Sequence, residues 1–210
     1  KEALLAVKDV YEQAEVAGIS SFFKKRGVGV WLPETGRCII SVEEGKIHVR
    51  TSAACIGQGM ATVTTQIACE TLNLPPEMIV AEAPDTRRTP NSGTTTASRQ
   101  SLFTGEATRR AAMQLRYELD MGRALSDLEG EEFYGEYSAK TDPLINDKKS
   151  PVSHAGYGYA AEVAILDDKG KVAKFVAAYD MGQVVNPRAA EGQIEGGIAM
   201  GMGSALTEKF

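Results

Sequence analysis

The sequence predicts an α+β fold in which a β-hairpin followed by a helix is used twice. Three observations predict it. Two pairs of β-branched and aromatic runs flank turn sequences within the 210 residues, one pair around Glu43-Glu44-Gly45 and one around Asp167-Asp168-Lys169-Gly170. Each hairpin is followed, twelve positions on, by the dipeptide Gly-Gln: Gly45-Lys46 leads to Gly57-Gln58 and Gly170-Lys171 leads to Gly182-Gln183. A helical spacing of apolar residues follows each of those dipeptides, and a third copy, Gly192-Gln193, lies near the last one.

Lys1 to Gly18 carries Leu4, Leu5, Val7, Val10 and Tyr11 at helical spacing, with Gly18 as its stop. Extended structure is expected over Gly27 to Leu32, closed by Pro33 and Gly36, then over Arg37 to Val42 and Lys46 to Ser52, which form the first hairpin. Met60 to Leu72 places Val63, Ile67 and Leu72 on one helical face and ends at Pro75-Pro76. A short strand, Met78 to Ala81, precedes a loop from Pro84 to Ser101 rich in Thr, Ser, Arg, Pro, Asn and Gly. A loop longer than about 12–15 residues is usually functional or disordered, and this one reads as a ligand cradle of small hydroxyl residues. Thr104-Gly105-Glu106 opens a helix over Ala107 to Leu125. The second hairpin comprises Tyr157 to Leu166 and Val172 to Tyr179, and Asn186-Pro187 precedes a last helix, Ala189 to Leu206. Gly192, Gly196, Gly197, Gly201 and Gly203 cost that helix about 1 kcal/mol each relative to alanine, so it is expected to approach another backbone or a flat ligand closely. The reading gives one subdomain over about 1–126, a charged linker or excursion over about 127–151, and a second subdomain over about 152–210.

A net charge of -5 argues against a general nucleic-acid binder, which needs a basic face. No apolar run approaches the roughly 20 residues of a membrane helix, so the expectation is a soluble, cytoplasmic protein with neither nucleic-acid nor membrane partners. Cys38, Cys55 and Cys69 form no C-x-x-C pair, which points to bystander thiols in a reducing compartment rather than to zinc. The sequence starts within a helical pattern and ends without a helix stop, as a piece of a longer protein would.

No nucleophile-and-base arrangement stands out. Ser153-His154 lacks a nucleophile elbow, and His48 alternates with Ile47 and Val49 on a strand, which predicts a solvent-facing ring. The chain offers amides, hydroxyls and helix starts in quantity and little general acid or base. That profile suits a polar, anionic, non-protein ligand, with helix N-termini on phosphates and amides on a heterocycle edge. Neither a Walker loop nor a Gly-x-Gly-x-x-Gly after a strand is present.

Gly57-Gln58-Gly59-Met60-Ala61-Thr62, Gln66-Ile67-Ala68, Asp85-Thr86 and the run Pro90-Asn91-Ser92-Gly93-Thr94-Thr95-Thr96-Ala97-Ser98-Arg99 resemble the molybdenum-cofactor-binding domain of the xanthine dehydrogenase and aldehyde oxidase family. So do Asp180-Met181-Gly182-Gln183-Val184-Val185-Asn186-Pro187, Glu191-Gly192-Gln193-Ile194-Glu195-Gly196-Gly197 and Gly201-Met202-Gly203, in family order from about Gly27 to Phe210. The resemblance implies the second half of a molybdopterin-binding domain. By similarity, Gln58 bonds near the pterin or the metal's oxygen ligands, and Gly57, Gly59, Met60 and Thr62 lie against the cofactor. Thr96, Ala97, Ser98, Arg99 and Gln100 fall where the family's loop wraps the pterin and its phosphates. Gln193 matches a glutamine that contacts the cofactor, and Asp180, Gly182 and Asn186 lie in the adjoining loop. The implied cofactor is molybdopterin, as Mo-molybdopterin or its cytosine dinucleotide. The implied partners are the remainder of the molybdenum domain, iron-sulfur and FAD domains or subunits, and a small-molecule substrate. The implied activity is oxidative hydroxylation of a purine, another N-heterocycle or an aldehyde. The family's catalytic glutamate, in a Gly-Val-Gly-Glu stretch, and its substrate-side arginine and phenylalanine loops have no match here, so the expectation for the chain alone is inactivity. The competing expectation is a non-catalytic protein that holds or delivers the cofactor.

Overall fold

The two hairpins sit in different sheets, and each sheet is covered by helices from a different part of the chain. The computed structural model describes residues 1–209. Its elements are α1 (Glu2–Gln13), β1 (Ala17–Arg26), β2 (Thr35–Glu43), β3 (Lys46–Arg50), α2 (Met60–Leu72), β4 (Ile79–Ala81), α3 (Gln100–Asp120), β5 (Glu132–Ser138), β6 (Gly156–Leu166), β7 (Val172–Asp180) and α4 (Pro187–Leu206).

The first sheet has the order β4-β3-β2-β5, with β3 and β4 parallel and the other pairs antiparallel. Its hairpin turns at Glu44 and Gly45, both with positive φ, the backbone that a tight two-residue turn requires. The β3–α2–β4 segment is a crossover that lays α2 on the sheet beside α3. Alternate residues of β2, namely Cys38, Ile40 and Val42, point inward and are fully buried with Ile47, Val49, Ala68, Leu72, Ala107, Ala111 and Leu115. The inward stripe of α3, from Phe103 through Ala107, Ala111 and Leu115, contains small residues, and these let the helix lie against Gly36 of β2 and Gly135 of β5. Asn73, at φ 56°, ends α2 in left-handed backbone ahead of Pro75-Pro76.

The second sheet has the order β1-β6-β7, all antiparallel. Val7 of α1 packs on Ala161 and Val163, so the first helix of the chain covers the second hairpin. α4, which follows that hairpin in sequence, buries no residue.

The α+β class and the two hairpins match the expectation, and several details differ. Residues 27–32 turn instead of extending, because Gly27, Gly29, Val30 and Trp31 all take positive φ. The strand lies earlier, as β1, where exposure on both faces leaves no alternating pattern to read. α3 begins at Gln100 rather than Ala107, with Gly105 inside the helix against Ile67. The supposed linker contains β5, paired along β2 from Ser41↔Glu132 to Thr35↔Ser138. Because β1 pairs with β6 and β5 with β2, the sheets do not follow the 1–126 and 152–210 division. The twofold hairpin unit is a repeat in sequence order, not in packing. The glycines of α4 at 192, 196, 197 and 201 meet nothing within 4 Å, so their expected close approach is not made within the chain.

Candidate functional site

The loop from Ala54 to Gly59 ends β3's path across the sheet and starts α2. Gly57 has φ 108° and Gly59, the N-cap, has φ 77°, so the backbone curls and aims successive N–H groups at one point. Cys55 sits at that point. The backbone N–H groups of Gly57, then Met60 and Gly59, and also Gln58, pull its thiol below its ordinary value. Cys55 is exposed, and the thiol responds to the positive end of the α2 helix as any small anion placed there would.

Gln58 staples this loop. Its Oε1 accepts from Ile56 N–H at 2.6 Å and its Nε2 donates to the Ala54 carbonyl at 3.1 Å. A primary amide has two N–H donors and two acceptor lone pairs, so one of each stays available for a ligand. Thr95 Oγ1 donates to the same Ala54 carbonyl at 2.8 Å, which brings the Thr94 to Ser98 turn alongside. There Ala97 and Ser98 have φ 47° and 53°, and their N–H groups make no hydrogen bond among the described residues. The starts of α2 and α3 thus lie side by side, each preceded by left-handed backbone and each presenting free amides.

A third loop adjoins them through β1. Gly27 N–H donates to the Ala97 carbonyl at 2.9 Å, and the neighbouring Arg26 guanidinium donates to the Met181 carbonyl. Asp180 Oδ1 accepts from Gly182 N–H at 3.2 Å and shapes that turn. Asn186 caps α4, its Oδ1 accepting from Ala189 N–H at 2.9 Å, while its Nδ2 donates to Gln66 Oε1 at 2.9 Å and ties the helix to α2.

The sequence reading of the site needs correction at several residues. Arg99 is 2% exposed and its guanidinium faces inward to Glu34 instead of lying open on the loop. Gln100 is buried as well, with Nε2 donating to the Thr94 carbonyl at 3.1 Å and to Thr95 Oγ1 at 3.3 Å. The Met60 side chain packs with Ala53 and Val63, leaving only its backbone N–H for the site. Thr62 and Thr96 are exposed beside the two helix starts. Gln193 is exposed on α4 and makes no hydrogen bond among the described residues.

Two residues were missed. Glu34 is buried in mid-chain, where nothing in the local pattern marks it. Cys55 looked like a bystander because its perturbation comes from backbone curvature. One measurement follows: in the chain, iodoacetamide is expected to label Cys55 first, then Cys69, with Cys38 unmodified until unfolding. Burial pushes the Cys38 thiol up to about 12, and burial also raises Cys69. Peptide mapping after timed alkylation near neutral pH checks the order, and equal labelling of Cys55 and Cys69 would contradict the converging amides.

His48 is half-buried, not solvent-facing. Its Nδ1 lies 2.8 Å from Glu82 Oε1 and 3.9 Å from Glu43 Oε2, in a cavity of about 760 Å³. The same carboxylates pair with the buried Arg50 and with Arg88, so the cluster is a neutralised ion-pair network. His154 Nδ1 lies 3.0 Å from Ser153 Oγ and its ring meets Tyr157 edge-on, a packed arrangement with no acid partner among the described residues.

Known proteins are similar to this chain in sequence and fold. The chain is 28% identical to the gamma subunit of the 6-hydroxypseudooxynicotine dehydrogenase complex of Paenarthrobacter nicotinovorans, over 92% of this chain and 28% of that protein. It is 31% identical to the aldehyde oxidoreductase of Megalodesulfovibrio gigas, over 80% of this chain and 20% of that one. The crystal structure of the aldehyde oxidoreductase from Desulfovibrio desulfuricans superposes on all of this chain and 25% of its own, at a TM-score of 0.77 and 26% identity. The chain therefore spans less than a third of the length of these relatives. The molybdopterin cofactor-binding domain model matches residues 6–133 and 121–210, which cover both helix starts and the Asp180 to Asn186 loop. With that match over nearly its whole length, the chain belongs to the molybdopterin cofactor-binding domain family.

Proposed function

We propose that the chain forms one wall of the molybdopterin site of a molybdenum hydroxylase that oxidatively hydroxylates a purine, another N-heterocycle or an aldehyde. The observation that carries this reading is the left-handed backbone of Gly57 and Gly59 at the start of α2, joined through Thr95 and Ala54 to that of Ala97 and Ser98 at the start of α3, so that both turns present backbone N–H groups side by side. The residues present fit such a cofactor. Converging amides suit its phosphate or dithiolene end, and the spare N–H and lone pair of Gln58 suit a ring or metal-oxygen edge. Bound there, the molybdenum centre supplies the two-electron oxidation, as cofactors generally supply chemistry that side chains lack. The chain's own part is to bind and orient. Gly57 and Gly59 let backbone approach closely, Ala97, Ser98 and Thr96 present donors from the α3 side, and Gln58 fixes the loop while facing the ligand. Asp180, Gly182 and Asn186 shape the adjoining loop, and Gln193 contributes only where α4 meets the rest of the protein.

Iron-sulfur clusters and FAD on other domains or subunits, a pterin in the Mo-molybdopterin or cytosine dinucleotide form, and a cytoplasmic location complete the proposal. The subunit names among the relatives support a multi-part assembly. Among the described residues no helix is long and apolar enough to cross a membrane.

Gln58→Ala in the full-length protein is expected to lower pterin content or turnover by about tenfold, since it removes both a ligand-facing amide and the staple on Ala54. Oxidised-pterin fluorescence and molybdenum per polypeptide measure it. Unchanged loading together with unchanged turnover would contradict the assignment of Gln58.

A further inference from the structure

Glu34 and Arg99 form a buried ion pair, both side chains 3% exposed, with Arg99 Nε 3.3 Å from Glu34 Oε1. Beyond that contact, both side chains are spent on backbone groups. Arg99 Nη1 donates to the carbonyls of Ser92 at 2.7 Å and Thr94 at 3.1 Å, and Nη2 donates to the Thr35 carbonyl at 3.0 Å. The Glu34 carboxylate accepts from Val28 N–H at 2.7 Å and Gly29 N–H at 3.0 Å. The guanidinium also lies over the Phe103 ring, 4.9 Å from its centroid, at the first turn of α3.

The pair therefore joins three segments: the 27–29 turn, the start of β2, and the loop that leads into α3. These segments hold the left-handed residues Gly27, Gly29, Gly93, Ala97 and Ser98. Side chains at Ala97 and Ser98 disfavour that conformation, so it must be held from outside. The Gly27 N–H to Ala97 carbonyl bond holds it on one side and the Arg99 grip on Ser92 and Thr94 holds it on the other.

We infer that Glu34 and Arg99 are positioning residues for the α3 side of the cofactor site. Neither touches the ligand. They fix the turn that presents the Ala97 and Ser98 N–H groups. The inference rests on the molybdopterin reading above and assigns a role within it.

The sign of one charge change separates this role from direct contact. If Arg99 met the cofactor's anion, Glu34 would compete with it, and neutralising Glu34 would tighten binding. As a clamp, the pair loses its grip when Glu34 is neutralised, and binding weakens. The experiment uses the full-length protein as purified, with the rate of pterin release on mild warming, the molybdenum content, and the melting temperature measured for wild type, Glu34→Gln and Arg99→Lys. Release is expected to be about tenfold faster in both variants, the scale on which partners outside the ligand shell act, with turnover per bound molybdenum unchanged. Slower release in Glu34→Gln, or release at the wild-type rate with only a lowered melting temperature, overturns the inference. Should Glu34→Gln fail to fold, Glu34→Asp takes its place, because it keeps the charge beside Arg99 while withdrawing the carboxylate from Val28 N–H and Gly29 N–H: faster release supports the clamp and release at the wild-type rate overturns it. A wild-type protein that folds without pterin overturns the proposed function and this inference together, whereas a loaded wild type with unaffected variants overturns the inference alone.

Discussion

Gly135→Ala is expected to destabilise the chain by about 3 kcal/mol or more, toward the severe end for a single substitution. A Cβ at Gly135 would lie 2.7 Å from the backbone nitrogen of Ala111 and closer still to the Ala107 carbonyl oxygen. Both are atoms of the α3 backbone, which cannot rotate away as a side chain can. Relief requires either lifting α3 from β5 or breaking the register that sets Gly135 opposite Cys38. Lifting the helix exposes Phe103 and Leu115, each fully buried and each contributing about 1.5–3 kcal/mol of apolar burial. Gly36→Ala strikes the same helix from β2, where a Cβ would lie 2.6 Å from Thr104 N. Gly18→Ala is the control, since its Cβ meets nothing within 4 Å. Urea unfolding followed by circular dichroism reads the difference, and a Gly135→Ala midpoint near that of Gly18→Ala would contradict the close packing of α3 on the sheet.

Gly57→Ala is expected to have the largest effect on cofactor retention with little effect on the fold. The added Cβ would meet nothing within 4 Å, so it creates no clash inside the protein. Its cost is conformational, because φ 108° is a region that L side chains rarely adopt, and holding such a residue costs about 1–3 kcal/mol. The exposed loop relieves that strain by turning its peptides, which disperses the amides that converge on Cys55. Each 1.4 kcal/mol lost from binding is about a tenfold loss of affinity, so a loss of about ten- to a hundredfold is expected. The Cys55 thiol supplies an independent readout: in Gly57→Ala it should become less acidic and alkylate more slowly at neutral pH.

The hairpins were legible because their turns carry strong local signals. Glu44-Gly45 and Asp167 to Gly170 lie between alternating apolar runs, and both formed turns. β5 was not, since its inward positions are Phe133 and Gly135, and a glycine adds nothing to an apolar pattern although it is what lets α3 approach. β1 was hidden by exposure on both faces. At the site, glycine and amide spacing pointed to the start of α2 and to Gln58, whereas the turn before α3 was reached only through the resemblance, the helix itself being expected from Ala107 and found from Gln100. Direction was the part that spacing could not supply. An arginine in a loop of hydroxyl residues reads the same whether it faces a phosphate or a carboxylate brought from Glu34 by the fold. Likewise the equal offset of Gly57-Gln58 and Gly182-Gln183 carries no information on which helix packs where, and α1, not α4, covers the second hairpin.

The central claim is that the curled start of α2 holds molybdopterin, and the pterin-to-polypeptide ratio of the full-length protein tests it most directly, measured for wild type and Gly57→Ala with their melting curves. The account predicts stoichiometric pterin in the wild type and near-complete loss in a variant that still folds. A folded wild type without pterin, or a Gly57→Ala protein that keeps its full complement, would contradict it.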